Sequence, residues 1–168
     1  NNQTWNPTNA SGTITDNHVK LGDSGSRFTD LYLSGGVYLD GTAAANRLDD
    51  YEEGSYTLSD QSGAGLSLTV YVATYTKIGN QVFFEFGIAF PTTSSTASIA
   101  LSIPFHAKNS GDNTGGGAIV TTNSGRNDSV VVGRNTAFLF VQNNLNASST
   151  NANYSGKQLR VAGQYTTP

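Results

Sequence analysis

The chain has no cysteine and no methionine. Without thiols it can form neither a disulfide nor a thiolate zinc site, so a small β-domain of this kind needs another source of stability. Oligomerisation is the obvious one. Charged residues make up only 12% of the chain, the net charge is −3, and there is no basic stripe. Binding to nucleic acid or to an anionic membrane surface therefore has little electrostatic support.

Long apolar runs are also missing, so we expect no insertion into a membrane. No positively charged start followed by an apolar block indicates a signal peptide. The chain begins with Asn1 rather than methionine, and we expect it to be a fragment or a processed product.

Gly, Ser, Thr and Asn are abundant and together make up roughly two-fifths of the chain. These residues favour turns and short strands, because glycine tolerates positive φ and the other three hydrogen-bond the nearby backbone. A hydrophobic fraction of 36% is still enough for a core. The composition predicts an all-β protein.

Three regions are expected along the chain. Residues 1–17 read as an extended N-terminal arm, residues 18–54 as an intertwined stalk and junction, and residues 55–168 as a β-sandwich head domain. In the stalk, short apolar groups are interrupted by Gly, Ser and Asp, so no stretch can build a core alone. We expect several chains to bury them together. The residues predicted to line the axis of a homotrimer are Phe28, Leu31, Leu33, Val37 and Leu39.

The head shows strand and turn signals from residue 56 onward. Apolar residues alternate over 66–73, a Gly79-Asn80 turn follows, and residues 81–90 form the strongest strand pattern. Seven or eight such segments predict an antiparallel, jelly-roll-like sandwich. We expect a glycine-rich loop at 109–117 and a short helix near 43–51. The predicted core is Leu68, Val70, Val82, Phe84, Phe86, Ile88, Phe90, Ile99, Leu101 and Ile103, with Phe83 on the opposite face at a subunit interface.

No catalytic constellation stands out. The two histidines, His18 and His106, are far apart in sequence, and the serine motif of hydrolases is absent. Asp49, Asp50, Glu52 and Glu53 are read as a solvated turn or a set of interchain salt links rather than a metal or catalytic site. We expect no enzyme activity, no metal and no cofactor.

Two polar loops are the better candidates for binding. Their amide and hydroxyl groups suit sugar hydroxyls, and an aromatic ring can stack on the apolar face of a sugar. The predicted receptor-binding residues are Asn123, Arg126, Asn127, Asn144, Asn146, Asn153 and Tyr154, and Asp128, Asn143 and Asn151 are further candidates in the same loops.

Three stretches resemble tail-fibre and receptor-binding proteins of tailed bacteriophages, notably those of aquatic bacteria. They are LGDSGSRFTDLYLSGGVYL at 21–39, LDDYEEG at 48–54 and YTKIGNQV at 75–82. The closing LRVAGQY at 159–165 is similar to the last strand of such domains. The chain departs from the pattern at 56–58, where Tyr-Thr-Leu replaces the usual Trp-Thr-Pro.

The resemblance implies a homotrimeric part of the virion, assembled in the host bacterial cytoplasm, that contacts other tail or capsid proteins. Its distal β-domain would adhere to a host surface polysaccharide, either lipopolysaccharide or capsule. A head fibre or capsid decoration protein is the alternative, in which residues 1–17 would attach the protein to the capsid, with Trp5 as the anchor. A polysaccharide depolymerase is a weaker alternative, since the chain is too short for the long β-helix of tailspike enzymes.

Overall fold

The structure is a computed structural model that describes residues 6–16, 20–40, 43, 46–109 and 115–168. The chain divides into two compact units, 1–35 and 36–168. Trp5 and His18 lie outside the described residues. No helix in the part that the structure describes has the length and apolar character needed to cross a membrane.

The described residues of unit 1–35 form short turns with little buried surface. Thr8 forms an antiparallel bridge with Ile14, and the Asn9 side chain closes this turn by accepting the N–H groups of Ser11 and Thr13, both at 3.0 Å. The large apolar side chains described here are all more than half exposed: Ile14, Leu21, Phe28, Leu31, Tyr32 and Leu33. A single chain therefore gives them no core.

Unit 36–168 contains a two-stranded ribbon and one eight-stranded antiparallel sheet. The ribbon pairs β1 (Val37–Tyr38) with β2 (Arg47–Leu48). The sheet strands are β3 (Tyr51–Ser55), β4 (Thr69–Ile78), β5 (Gln81–Ala89), β6 (Ala100–Ser102), β7 (Gly115–Thr122), β8 (Asp128–Val132), β9 (Phe138–Asn143) and β10 (Gln158–Thr166). Their spatial order is β3-β4-β5-β10-β7-β8-β9-β6. The predicted all-β, sandwich-like fold is confirmed, and a single curled sheet supplies both of its layers.

The two ends of this sheet are joined by the segment that follows β3. The Tyr56 N–H still donates to Ala73 of β4 at 3.0 Å. The chain then crosses to β6, where the Gln61 N–H donates to the Ala100 carbonyl at 2.8 Å and the Ser102 N–H to the Ser59 carbonyl at 3.0 Å. Segment 57–61 thus satisfies backbone groups of β6 that an open edge would leave to solvent.

The inward residues of both layers form one core. Strand β5 contributes Phe84, Phe86 and Ile88, which face buried residues of β8, β9 and β10. Tyr165 is fully buried, and its hydroxyl is satisfied by the backbone of Phe105, whose N–H and C=O lie at 2.9 and 3.0 Å. Of the ten predicted core residues, eight are buried: Val82, Phe84, Phe86, Ile88, Phe90, Ile99, Leu101 and Ile103.

Val70 is the wrong core prediction. Its side chain is 41% exposed, and Leu68 is only partly buried, because residues 60–68 precede the strand as a loop. A register shift lies between Val70, which pairs with Ile88, and Val72, which pairs with Gly87. The extra residue, Tyr71, reverses the alternation, so that Ala73 rather than Val72 points into the core.

Two other local predictions are wrong. Gly115, Gly116 and Gly117 are not a loop but the first residues of β7, paired with β10 and β8. They permit close approach: a Cβ on Gly115 would lie 2.1 Å from the Gln164 carbonyl oxygen. The helix expected near 43–51 is wrong from residue 47 onward, because 47–48 and 51–55 are strands. Of the residues before that, 44 and 45 lie outside the description, and Asn46 belongs to a 3₁₀ turn in which its N–H donates to the Ala43 carbonyl at 2.9 Å. The Gly79-Asn80 hairpin turn is confirmed, with Gly79 at φ 57°.

Asp60 gives a test of the loop that follows the closing segment. Its carboxylate accepts the Ser62 N–H at 2.9 Å and the Leu66 N–H at 3.0 Å. Burial raises the pKa of this carboxyl, but hydrogen bonds from Ser62 and the Leu66 backbone outweigh that effect and lower it below 3.8. The stabilisation is therefore present above pH 3.8 and is lost as the pH falls through the lowered folded-state pKa.

We expect Asp60→Asn to lower the free energy of unfolding by about 1–2 kcal/mol at pH 7, because an amide cannot accept from both N–H groups equally. Urea unfolding of both proteins between pH 7 and pH 2.5 measures this difference, which should shrink at the acid end. The exposed Asp30→Asn serves as the matched control. A difference that is independent of pH would contradict this role for the Asp60 carboxylate.

Candidate functional site

The two loops predicted to bind a receptor lie beside each other, joined by the Asp128 carboxylate. Asp128 is the first residue of β8, and its side chain is only 2% exposed. Its Oδ2 accepts from Arg126 Nε at 2.8 Å, from Ser149 Oγ at 2.5 Å and from the Tyr154 hydroxyl at 3.3 Å. The Arg126 guanidinium also donates to Ser149 Oγ at 3.2 Å. We call these four residues the Asp128 cluster.

The cluster uses two of the predicted binding residues for structural contacts. Tyr154 ends the 3₁₀ helix Asn151–Tyr154, is fully buried, and packs its ring 5.6 Å from that of Phe90. Burial raises the pKa of Tyr154 to about 12, so its hydroxyl stays protonated and donates. The ring is not available to stack on a sugar from outside, and Arg126 is held against Asp128.

Two of the predicted asparagines also serve the local backbone. The Asn123 side chain accepts the Gln158 N–H at 2.8 Å, and Asn153 accepts the Thr150 N–H at 2.9 Å in a capping box. Asn127, Asn144 and Asn146 are exposed, and Asn146 occupies the left-handed region at φ 59°. The further candidate Asn151 is buried. Among the predicted residues, Asn127, Asn144 and Asn146 therefore remain the best candidates to contact a ligand.

A second candidate lies on the outer face of β3, β4, β5 and β10. Three consecutive cross-strand rows define it. The middle row, Gly54–Tyr75–Phe84–Gly163, turns its side chains inward and offers its backbone as a floor. The neighbouring rows, Glu53–Thr76–Phe83–Gln164 and Thr74–Glu85–Ala162, project outward on either side. We call this depression, of about 860 Å³, the cross-strand groove.

The groove combines one exposed ring with polar groups. Phe83 is 44% exposed, in keeping with its predicted place on the face opposite the core. The Thr74 hydroxyl donates to Glu85 at 3.3 Å, and the Tyr51 hydroxyl donates to Glu53 at 2.7 Å. This second hydrogen bond, to a carboxylate, raises the pKa of Tyr51. The groove lining contains two acids and no lysine, arginine or histidine.

Sequence reasoning did not identify this groove. The available signal was the outward-facing set of the strand 81–90, in which Phe83 interrupts the expected polar face. What the sequence could not supply was the pairing that sets Phe83 beside Gln164, because Gln164 comes from a distant part of the chain.

The acidic run at 49–53 has partners within its own chain. Arg47 pairs with Asp49 at 2.8 Å, Lys77 with Asp50, and the Tyr75 hydroxyl donates to Glu52. The hydrogen bond to Glu52 raises the pKa of Tyr75. The contacts of Lys77 and Tyr75 connect β4 to Glu52 of β3 and to Asp50 just before it. Within the described ranges, no three His, Asp or Glu side chains are grouped so as to hold a metal ion. His106 is exposed and lies near the Ala107 carbonyl.

Comparison with known proteins returned no match: no protein-family model, no curated protein and no solved structure matches the chain. The resemblance to phage tail fibres stays a prediction, and function has to be inferred from the geometry of the two candidate sites.

The Asp128 cluster can be tested by Asp128→Asn, which removes the charge opposite Arg126. We expect a loss of about 2–3 kcal/mol in the free energy of unfolding, because the mostly buried Arg126 loses its counter-charge and the Ser149 hydroxyl its charged acceptor. Chemical denaturation measures it, and the exposed neighbour Asn127→Ala is the control. A change below about 0.5 kcal/mol, the size of an ordinary surface substitution, would mean that the cluster does not hold the two loops together.

Proposed function

We propose that this chain is a non-enzymatic structural protein of a bacteriophage virion, a homotrimeric tail fibre or spike whose β-domain adheres to a polysaccharide on the host surface. Residues 20–39 would associate around a three-fold axis, and the eight-stranded domain would carry the receptor-binding surface.

The observation that carries the proposal is the contrast between the two parts of the chain. The sheet buries a continuous core within one chain, whereas the residues proposed for the trimer axis, Phe28, Leu31, Leu33, Val37 and Leu39, are each between 38% and 66% exposed. Apolar side chains repeated over such a short segment mark an association surface. The low charge of the chain and its lack of cysteine also favour stabilisation by assembly.

The interaction surfaces of the head support adhesion rather than chemistry. The exposed amides of Asn127, Asn144 and Asn146, and the ring of Phe83, are groups that bind sugars without cleaving them. In the described part of the chain, the acids of 49–53 are engaged in ion pairs and hydrogen bonds, and His106 has no carboxylate hydrogen-bonded to it.

Association is tested by the mass in solution. Light scattering should give three times the 17.6 kDa mass of the chain. Replacing Leu31 and Leu33 together by Asp should yield a monomer with unchanged β-sheet circular dichroism, because charges cannot be buried at the axis without several kcal/mol of cost. Tyr32→Ser, in the same segment but outside the proposed axis, is the control. A wild-type chain that stays monomeric at high concentration would contradict the trimer.

Position on the virion is tested by immunogold electron microscopy with antibody raised against this chain. Labelling at the distal tail is the expected result, since a receptor-binding domain must reach the host first. Gold distributed over the head would instead identify a head fibre or capsid decoration protein and would overturn the receptor-binding role.

A further inference from the structure

We propose that the cross-strand groove is a sugar-binding subsite that takes a neutral or amino-bearing sugar, stacked on Phe83, and rejects anionic sugars. This inference deepens the proposed function and rests on it, because it names the surface and the chemical class of the glycan.

The shape of the groove suits a chain of sugars. Its floor crosses four strands, and with a spacing of about 4.8 Å it extends about 14 Å. Its two side-chain rows are about 7 Å apart, since they are separated by two residues along each strand. A Cβ on Gly163 would lie 2.6 Å from the Gly116 carbonyl oxygen, so close packing of the strands excludes any other residue there.

The lining offers the groups that a sugar needs. The exposed ring of Phe83 can stack on the C–H face of a pyranose, where aromatic contact area gives most of the binding energy. Thr74, Thr76 and Gln164 surround it with hydroxyl and amide groups for sugar hydroxyls.

The charges select the class of sugar. Glu53 and Glu85 stand in the two rows on either side of the floor, and no basic side chain lines the groove. A carboxylated or phosphorylated sugar would face two like charges at close range, whereas an ammonium group would be attracted to both. Among the residues outside the groove on this face, Arg160 opposes Gly87, on the far side of Glu85 from Phe83.

This surface is separate from the Asp128 cluster. Asn123 contacts Gln158 at the start of β10, while Gln164 of the groove lies six residues further along that strand. At about 3.4 Å per residue, Gln158 and Gln164 are about 20 Å apart. Variants in the groove therefore leave the loops of the cluster unchanged, and the two candidate surfaces can be tested independently.

The experiment measures binding of the full chain to three soluble probes by calorimetry and NMR titration: oligomers of glucosamine, of N-acetylglucosamine and of galacturonic acid. We expect the first two to bind at least about tenfold more tightly than the third. Phe83→Ala should weaken both by about tenfold or more, by loss of the stacked ring. Glu85→Gln should reduce the preference for the glucosamine oligomer over its acetylated form. Tyr71→Ala, another exposed aromatic of this sheet, is the control.

Several results would overturn the proposal. They are equal or tighter binding of the galacturonate oligomer, no binding of any probe, or unchanged affinities in Phe83→Ala. A fall in the mass of Phe83→Ala from trimer to monomer would show that a second copy of the chain occupies the groove. These failures are distinct from failure of the proposed function, which is decided by the wild-type mass and the position of the chain on the virion.

Discussion

The structure depends on the closure of its sheet by segment 57–61. An eight-stranded antiparallel sheet needs both of its edges satisfied, and here one stretch of chain leaves β4 at Tyr56 and hydrogen-bonds β6 from Ser59 to Gln61. Because the sheet curls back on itself, the inward faces of β5 and β9 meet in one core. The domain can then hold a full hydrophobic interior in about 130 residues, without disulfides.

Closure also shapes the outer surface. Since the interior takes the large apolar side chains of alternate positions, the opposite positions are left for solvent or for a ligand. On β3, β4, β5 and β10 these positions carry Phe83 together with hydroxyl, amide and acidic groups, and the cross-strand groove lies between their rows. At the other end of β10, the buried Asp128 carboxylate holds two polar loops side by side. A rigid scaffold thus presents two separate surfaces.

The sequence predicted the parts of this fold that depend on local pattern. The hairpin at Gly79-Asn80 and the alternation of 82–90 were readable because turn chemistry and burial act on adjacent residues. The inward alternation predicted over 66–73 fails at Val72, because a bulge at Tyr71 adds one residue and reverses the side chains beyond it. Gly115–117 looked like a loop, since only the strands packed around them show why side chains are excluded. The groove and the burial of Tyr154 depend on long-range pairing, which no local pattern encodes.

The closed domain has a continuous core within one chain, and we propose that association depends on residues 20–39. Hydrogen–deuterium exchange, followed by mass spectrometry at high and low protein concentration, tests it most directly. Peptides of β5, β6, β10 and segment 57–61 should be protected equally at both concentrations, while peptides within 20–39 should lose protection on dilution. Loss of protection in segment 57–61 and β6 on dilution would contradict it, because closure would then require a partner chain.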